Sequence, residues 1–166
     1  MHLYFNKPNW VSFQTFPVCL ILTIAILGQP QKMSGQKKYI ERYKKLADSL
    51  SKSYKIPSCV ILGVATVESS SGAGKTVSLL NNHFGIVGKN NLMKTNGIKT
   101  RYKYYPSDTA SFIDFAKLVS RRKFYKSMTG KNTCTDWITA ISKTGYSEKP
   151  DVWKKRIMDV INLYKL

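Results

Sequence analysis

A single carboxylate, Glu68, stands at the end of an apolar run that reads IPSCVILGVATVESSSGAG from Ile56 to Gly74. Pro57 suits the first turn of a helix, where its missing N–H is not needed, and Gly72 or Gly74 suits the exit. The spacing therefore predicts a helix between them. On that helix Val60, Val64 and Glu68 share a face, with Ile61, Ala65 and Val67 beside them, so an acid continues a stripe that should be buried. Loss of water and the negative end of the helix dipole both favour the protonated carboxyl. A carboxyl that keeps its proton near neutral pH is what a general acid requires. The same spacing also fits a surface glutamate at a frayed helix end, and periodicity does not choose between the two.

Other chemistry-bearing groups are weaker. The stretch SSSGAGKT, Ser69 to Thr76, resembles a phosphate-cradling loop, with an apolar run before it and a helix-like segment after it. Ser69, however, stands where the first glycine of G-x-x-x-x-G-K-T belongs, and no later strand delivers a Mg²⁺-binding Asp, so nucleotide binding is set aside. His2 and His83 with the cysteines give no metal-ligand spacing, and neither a metal nor a cofactor is expected. Beyond the leader only Cys59 and Cys134 remain. They could pair in an oxidising compartment, but Cys59 lies on the apolar helix, and two free or buried thiols are expected.

The elements that must position Glu68 belong to one domain. A chain of 166 residues has room for one real core. Lys and Arg outnumber Asp and Glu by 27 to 9, a net charge of +18 that favours polyanionic partners such as nucleic acid, anionic lipid or an acidic wall polymer. The bases are spread along the whole chain, which also fits a generally solvated basic surface. Residues 1–30 differ from the rest. Val18 to Leu27, VCLILTIAIL, looks like a signal-peptide h-region, and extending it back to Trp10 gives an uncleaved anchor, with residues 10–28 attached to the membrane. Export to the periplasm or the exterior follows from either, and residues 31–166 form the folded domain.

Within that domain Ile40, Tyr43, Ala47, Leu50 and Tyr54 recur at three and four residues, predicting an amphipathic helix over Gln36 to Tyr54 with Ser34 as cap. Its short connection to the Pro57 helix makes the two neighbours. Gly88 to Tyr105 is polar, with Asn96-Gly97 read as a tight hairpin turn and Ile98 to Tyr105 alternating around Tyr102 and Tyr104, so a small β-lobe is expected. Further helices follow: one capped by Ser107 or Asp108 with Phe112, Phe115, Ala116 and Val119 inward, one with Trp137, Ile138 and Ile141, and a last one opened by Pro150. The balance is α+β, mainly α.

Four separated blocks then resemble the N-acetylglucosaminidases of glycoside hydrolase family 73, found in bacterial autolysins and flagellar muralytic enzymes. IPSCVILGVATVESSSG is similar to that family's helix ending in Glu-Ser, and NNHFGI to its Asn-Asn-x-Phe-Gly-Ile block. YYPSDTASFIDFAKLV is similar to its Tyr-x-Ser…Ser-x-x-Asp segment, and GYSEKPDVW to its Gly-Tyr-Ala…Pro-x-Tyr ending. The resemblance implies a lysozyme-like fold with a small β-hairpin lobe flanking a cleft, and it makes Glu68 the general acid. It implies Tyr146 as a catalytic tyrosine of the cleft, and Asn82, Phe84, Gly85 and Tyr104 as substrate-binding residues. His83 is not expected to act in catalysis, and Trp153 replaces a usual tyrosine at a position that stacks or packs. A second acidic residue usual in the lobe has no counterpart, because no Asp or Glu lies between Glu68 and Asp108. Asp108 and Asp114 are then the nearest candidates for a second carboxylate.

The expected activity is that of an exported peptidoglycan hydrolase, an endo-β-N-acetylglucosaminidase whose partners are glycan strands and the anionic wall polymer, with no nucleic acid. The alternatives are a lytic transglycosylase using one glutamate, or a non-catalytic basic binder of wall polymer or nucleic acid.

Overall fold

The element that fixes all others is α2 (Ser58–Glu68), SCVILGVATVE, whose residues from Cys59 to Thr66 are all buried. A helix apolar on every side can only be central. Pro57 sits at its N-cap with φ −54° and ψ 138°, one position earlier than a first-turn proline. The computed structural model describes residues 29–130 and 133–166. The leader lies outside the described residues, apart from Gln29 and Pro30. Among the described residues no helix is long and apolar enough to cross a membrane.

Three helices pack against α2, and a fourth packs on one of them. Helix α1 (Gln29–Tyr54) buries Tyr39, Ile40, Tyr43, Ala47 and Leu50 along it. It starts earlier than the apolar repeat suggests, so Ser34 lies inside it and is not its cap. Helix α8 (Pro150–Tyr164) packs closely on α2 at Gly63, where an added Cβ would lie 3.0 Å from Ile157 and Ile161 side-chain carbons. Helix α5 (Asp108–Ser120) packs on α1 and is capped by Ser107, whose hydroxyl accepts from Ala110 N at 3.2 Å. Helix α7 (Cys134–Ser142) carries the buried Trp137, Ile138 and Ile141 against α2 and α8. Short helices α3 (Lys75–Leu80), α4 (Leu92–Asn96) and α6 (Tyr125–Met128) complete the described chain.

The β-hairpin lobe is not there. Asn96-Gly97 ends α4, with Gly97 left-handed at φ 67°, and does not turn between two strands. A single antiparallel bridge joins Val87 and Tyr102. It is flanked by Gly88 N to Arg101 O at 2.9 Å and Lys103 N to Ile86 O at 2.8 Å. Asparagine amides take the carbonyls that continued pairing would use, Asn82 Nδ2 donating to Lys103 O and Asn81 Nδ2 to Tyr105 O, both at 2.9 Å, and Asn90 Nδ2 ties Thr100 O and Tyr102 O at 3.0 and 2.8 Å. Side chains that bond the backbone locally compete with sheet pairing, and here they win. The lobe is therefore a pinned loop of residues 81–105 carrying one helical turn.

Cys59 and Cys134 are joined in a disulfide, correcting the expectation of two free or buried thiols. The first turns of α2 and α7 meet with the two Cα atoms 6.1 Å apart, within the span a disulfide bridges. The bond closes a segment of 75 residues. Chain-entropy arguments put the stabilisation from such a loop at about 4.5 kcal/mol, and disulfides typically contribute about 2–4 kcal/mol. Cys134→Ser or thiol reductant is expected to lower the denaturant midpoint accordingly, and a midpoint indifferent to reductant would show that the bond adds nothing.

Candidate active site

Glu68 is the last residue of α2, and the chain leaves it in a tight turn. Ser70 and Ser71 are left-handed at φ 50° and 59°, and Gly72 N donates to Ser69 Oγ at 2.9 Å while Gly74 N donates to Ser69 O at 2.9 Å. Those amides are spent inside the turn and not held out to a phosphate. The carboxyl is half-buried, and its Oε1 accepts from the Trp153 indole Nε1 at 2.6 Å. Burial pushes its pKa up, and the Trp153 hydrogen bond and the Arg156 charge only partly offset this. A raised carboxyl at the mouth of a cleft is suited to delivering a proton.

The cleft measures about 820 Å³ and runs between the lobe and the start of α8. Gly85, at φ 64°, forms part of its wall, and a Cβ there would lie 3.5 Å from Glu68 Oε2, so glycine leaves the carboxyl its space. Tyr146 also lines the cleft, and its hydroxyl donates to Phe84 O at 2.7 Å. Its ring sits 5.3 Å from that of Trp153. Burial and the nearby Glu68 charge push the phenol well up, so it stays protonated. Phe84 reaches the cleft wall, with its ring buried and stacked on Phe115 at 4.2 Å.

Several sequence candidates lie elsewhere. Asn82 is fully buried, donating to Ile86 O and Lys103 O at 2.8 and 2.9 Å and accepting from Ile86 N at 3.1 Å; it holds the lobe and does not line the cleft. Tyr104 is 48% exposed outside the cleft, and Tyr102 lines it instead. Asp108 accepts from Tyr43 Oη at 2.6 Å and lies 3.0 Å from His83 Nε2 and 3.4 Å from Arg42. Asp114 is held by Lys103 and Tyr105, both at 2.7 Å. Burial alone would raise these two carboxyls, but their donors and cations outweigh it and hold them below the usual range. Neither lines the Glu68 cleft. His83 is wholly buried, with Tyr39 Oη 2.7 Å from Nδ1, and its burial lowers the ring's pKa despite the opposing effect of Asp108. Among the described residues no three of His, Cys, Asp and Glu gather to hold a metal ion.

The Glucosaminidase family, described as mannosyl-glycoprotein endo-beta-N-acetylglucosaminidase, matches residues 44–166. The chain belongs to this family. Solved structures share the fold of this glucosaminidase. The truncated glycoside hydrolase domain of Salmonella typhimurium FlgJ is 21% identical at a TM-score of 0.63, covering 78% of this chain and 97% of that one. The catalytic domain of the Listeria monocytogenes autolysin Auto is 20% identical at 0.62, covering 92% and 97%. A type VI secretion effector–immunity complex from Pseudomonas protegens is 18% identical at 0.58, covering 80% and 95%. No curated protein sequence matches the chain.

The glucosaminidase cleft also contains groups that sequence reasoning missed. Glu148 lines it, two residues after Tyr146 in a block already singled out, but nothing in that block marks which way its side chain faces. Trp153, read as a stacking or packing residue, is the hydrogen-bond donor to Glu68. An indole donor stabilises the charged carboxylate and so lowers its pKa. Trp153→Phe is therefore expected to move the alkaline limb of the kcat/KM profile to higher pH, because Glu68 then keeps its proton longer. A limb that does not move would separate this hydrogen bond from the titrating group.

Proposed function

We propose that Glu68 is the general acid in cleavage of the β-1,4 bond that follows N-acetylglucosamine in peptidoglycan. Reaction class and substrate come with the family: the chain is a glycoside hydrolase, an endo-β-N-acetylglucosaminidase acting on peptidoglycan. The family takes its description from a mannosyl-glycoprotein substrate, and the two substrates share the N-acetylglucosamine whose linkage is cut. The observation that carries the role of Glu68 is its raised, half-buried carboxyl at the end of α2, in the wall of the large cleft.

The protonated carboxyl gives its proton to the leaving glycosidic oxygen as the C1–O bond breaks. The 2-acetamido oxygen of the same sugar attacks C1, forming an oxazolinium ion. Water then opens that ion at C1 and returns a proton to Glu68, so configuration is retained. This substrate-assisted route suits a cleft that neither Asp108 nor Asp114 lines, both being engaged elsewhere. Tyr146, whose O–H hydrogen-bonds Phe84 O, keeps its oxygen lone pairs to accept the acetamido N–H and steer the carbonyl oxygen toward C1. The excess of positive charge supports attachment to the anionic wall, and the disulfide supports an oxidising, exported location.

Digestion of purified cell wall with wild type and Glu68→Gln tests the assignment. Wild type is expected to release reducing N-acetylglucosamine ends, and Glu68→Gln to fold and bind wall while losing at least about a hundredfold in turnover. Near-full activity of the variant would remove Glu68 from the mechanism, and 1,6-anhydromuramic ends would make the protein a lytic transglycosylase. Early NMR should show the β-anomer, with Tyr146→Phe costly and Asp108→Asn or Asp114→Asn much less so. Because Glu148 lines the same cleft, an α-anomer together with a Glu148→Gln loss as large as that of Glu68→Gln would replace this route by inversion with Glu148 as base.

A further inference from the structure

Arginine is distributed unlike lysine in this chain. Of its five arginines three, Arg101, Arg122 and Arg156, line the Glu68 cleft, whereas of its 22 lysines Lys149 is the one found there among the described residues. The other two arginines are committed to aspartates off the cleft: Arg42 lies 3.4 Å from Asp108 and Arg121 lies 3.8 Å from Asp114. Among the described residues none of the cleft arginines forms an ion pair with a carboxylate, and Glu148 in the same cleft forms none with them. A solvated basic surface accounts for scattered lysines. It does not account for guanidinium groups gathered at one cleft, where their planar forks suit carboxylates.

Arg156 is the best placed. It stands one turn along α8 from Trp153, whose indole holds Glu68 at 2.6 Å, and the neighbouring Asp159 is taken by Lys155 at 2.8 Å. If Glu68 protonates the oxygen on C4 of the leaving sugar, the group on C3 of that sugar is its immediate neighbour. In peptidoglycan that sugar is muramic acid, and the C3 substituent is a lactyl ether. We propose that Arg156, with Arg101 on the lobe wall and Arg122 beyond α5, forms a subsite for carboxylates borne by the muramic residue on the leaving side. This rests on the bond assigned above. The carboxylate has two sources. It is the lactyl group itself once the stem peptide has been removed by amide hydrolysis, or it belongs to the stem peptide while that remains attached.

The test compares four glycans: peptide-stripped and peptide-bearing, each as it is and with its carboxyls reduced to alcohols after carbodiimide activation. Wild type is expected to lose about fivefold or more in kcat/KM when the lactyl carboxyls are reduced or the stem carboxylates are likewise reduced, the size of a partly exposed charged pair. Arg156→Gln should lose a similar factor on the carboxylated glycan and little on the reduced one, with Arg156→Lys recovering part. Comparing glycans within each variant cancels any effect of Arg156 on Glu68 itself. A larger Arg156 effect on stripped glycan assigns the lactyl group, and a larger one on peptide-bearing glycan assigns the stem. Equal losses on charged and reduced glycan, or a wild type indifferent to reduction, would overturn the subsite. If wild type releases no N-acetylglucosamine ends at all, the bond assignment fails instead. Binding of Glu68→Gln and Glu68→Gln/Arg156→Gln to stripped and reduced glycan then decides the subsite without turnover, on the same fivefold criterion.

Discussion

The structure depends on burying a carboxyl at the tip of a helix that is otherwise apolar all round. Such a helix has no solvated face on which to place an acid, so Glu68 is exposed only at the end, where α2 emerges into the cleft. Burial there disfavours its charge, and the fold answers with a single strong donor from Trp153. That donor arrives because α8 lies almost on the α2 backbone at Gly63, where no side chain keeps the helices apart. Chemistry at one end of the helix pair is thus set by packing one to two turns away.

The opposite wall is built by a different physics. With one bridge between Val87 and Tyr102, the lobe cannot rely on a ladder of backbone bonds, and buried or half-buried asparagine amides do the tying. An amide side chain offers both donors and acceptors, so Asn82 can satisfy an amide and two carbonyls at once. The gain is a wall whose backbone approaches Glu68 at Gly85 without side chains intervening.

Much of this was legible in the sequence because it obeys helical periodicity. The apolar repeats place the buried residues of α1, α5 and α7 with few errors, and Glu68 follows from one acid out of place in an apolar run. What escaped depends on contacts between residues far apart in the chain. The hairpin read from Asn96-Gly97 assumed that the flanking residues pair, and it could not anticipate asparagines from position 81 onward claiming their carbonyls. The disulfide needs the starts of α2 and α7 to meet, which no local pattern encodes. Trp153 as a donor, Glu148 in the cleft and the burial of Asn82 are likewise matters of which way a side chain turns.

The loop Asn82–Phe84 is fastened on three sides. Asn82 binds the lobe, His83 reaches Tyr39 of α1 and Asp108 of α5, and the Phe84 carbonyl takes the Tyr146 hydroxyl. The side chains of its first two residues point away from the cleft, yet each fixes where Gly85 stands beside Glu68. A map of functionally intolerant positions would therefore be dense through this loop for reasons of anchorage. Genetic essentiality here marks the hinge-pins of the wall, and a residue's closeness to the acid in such a map says little about whether it ever meets a sugar.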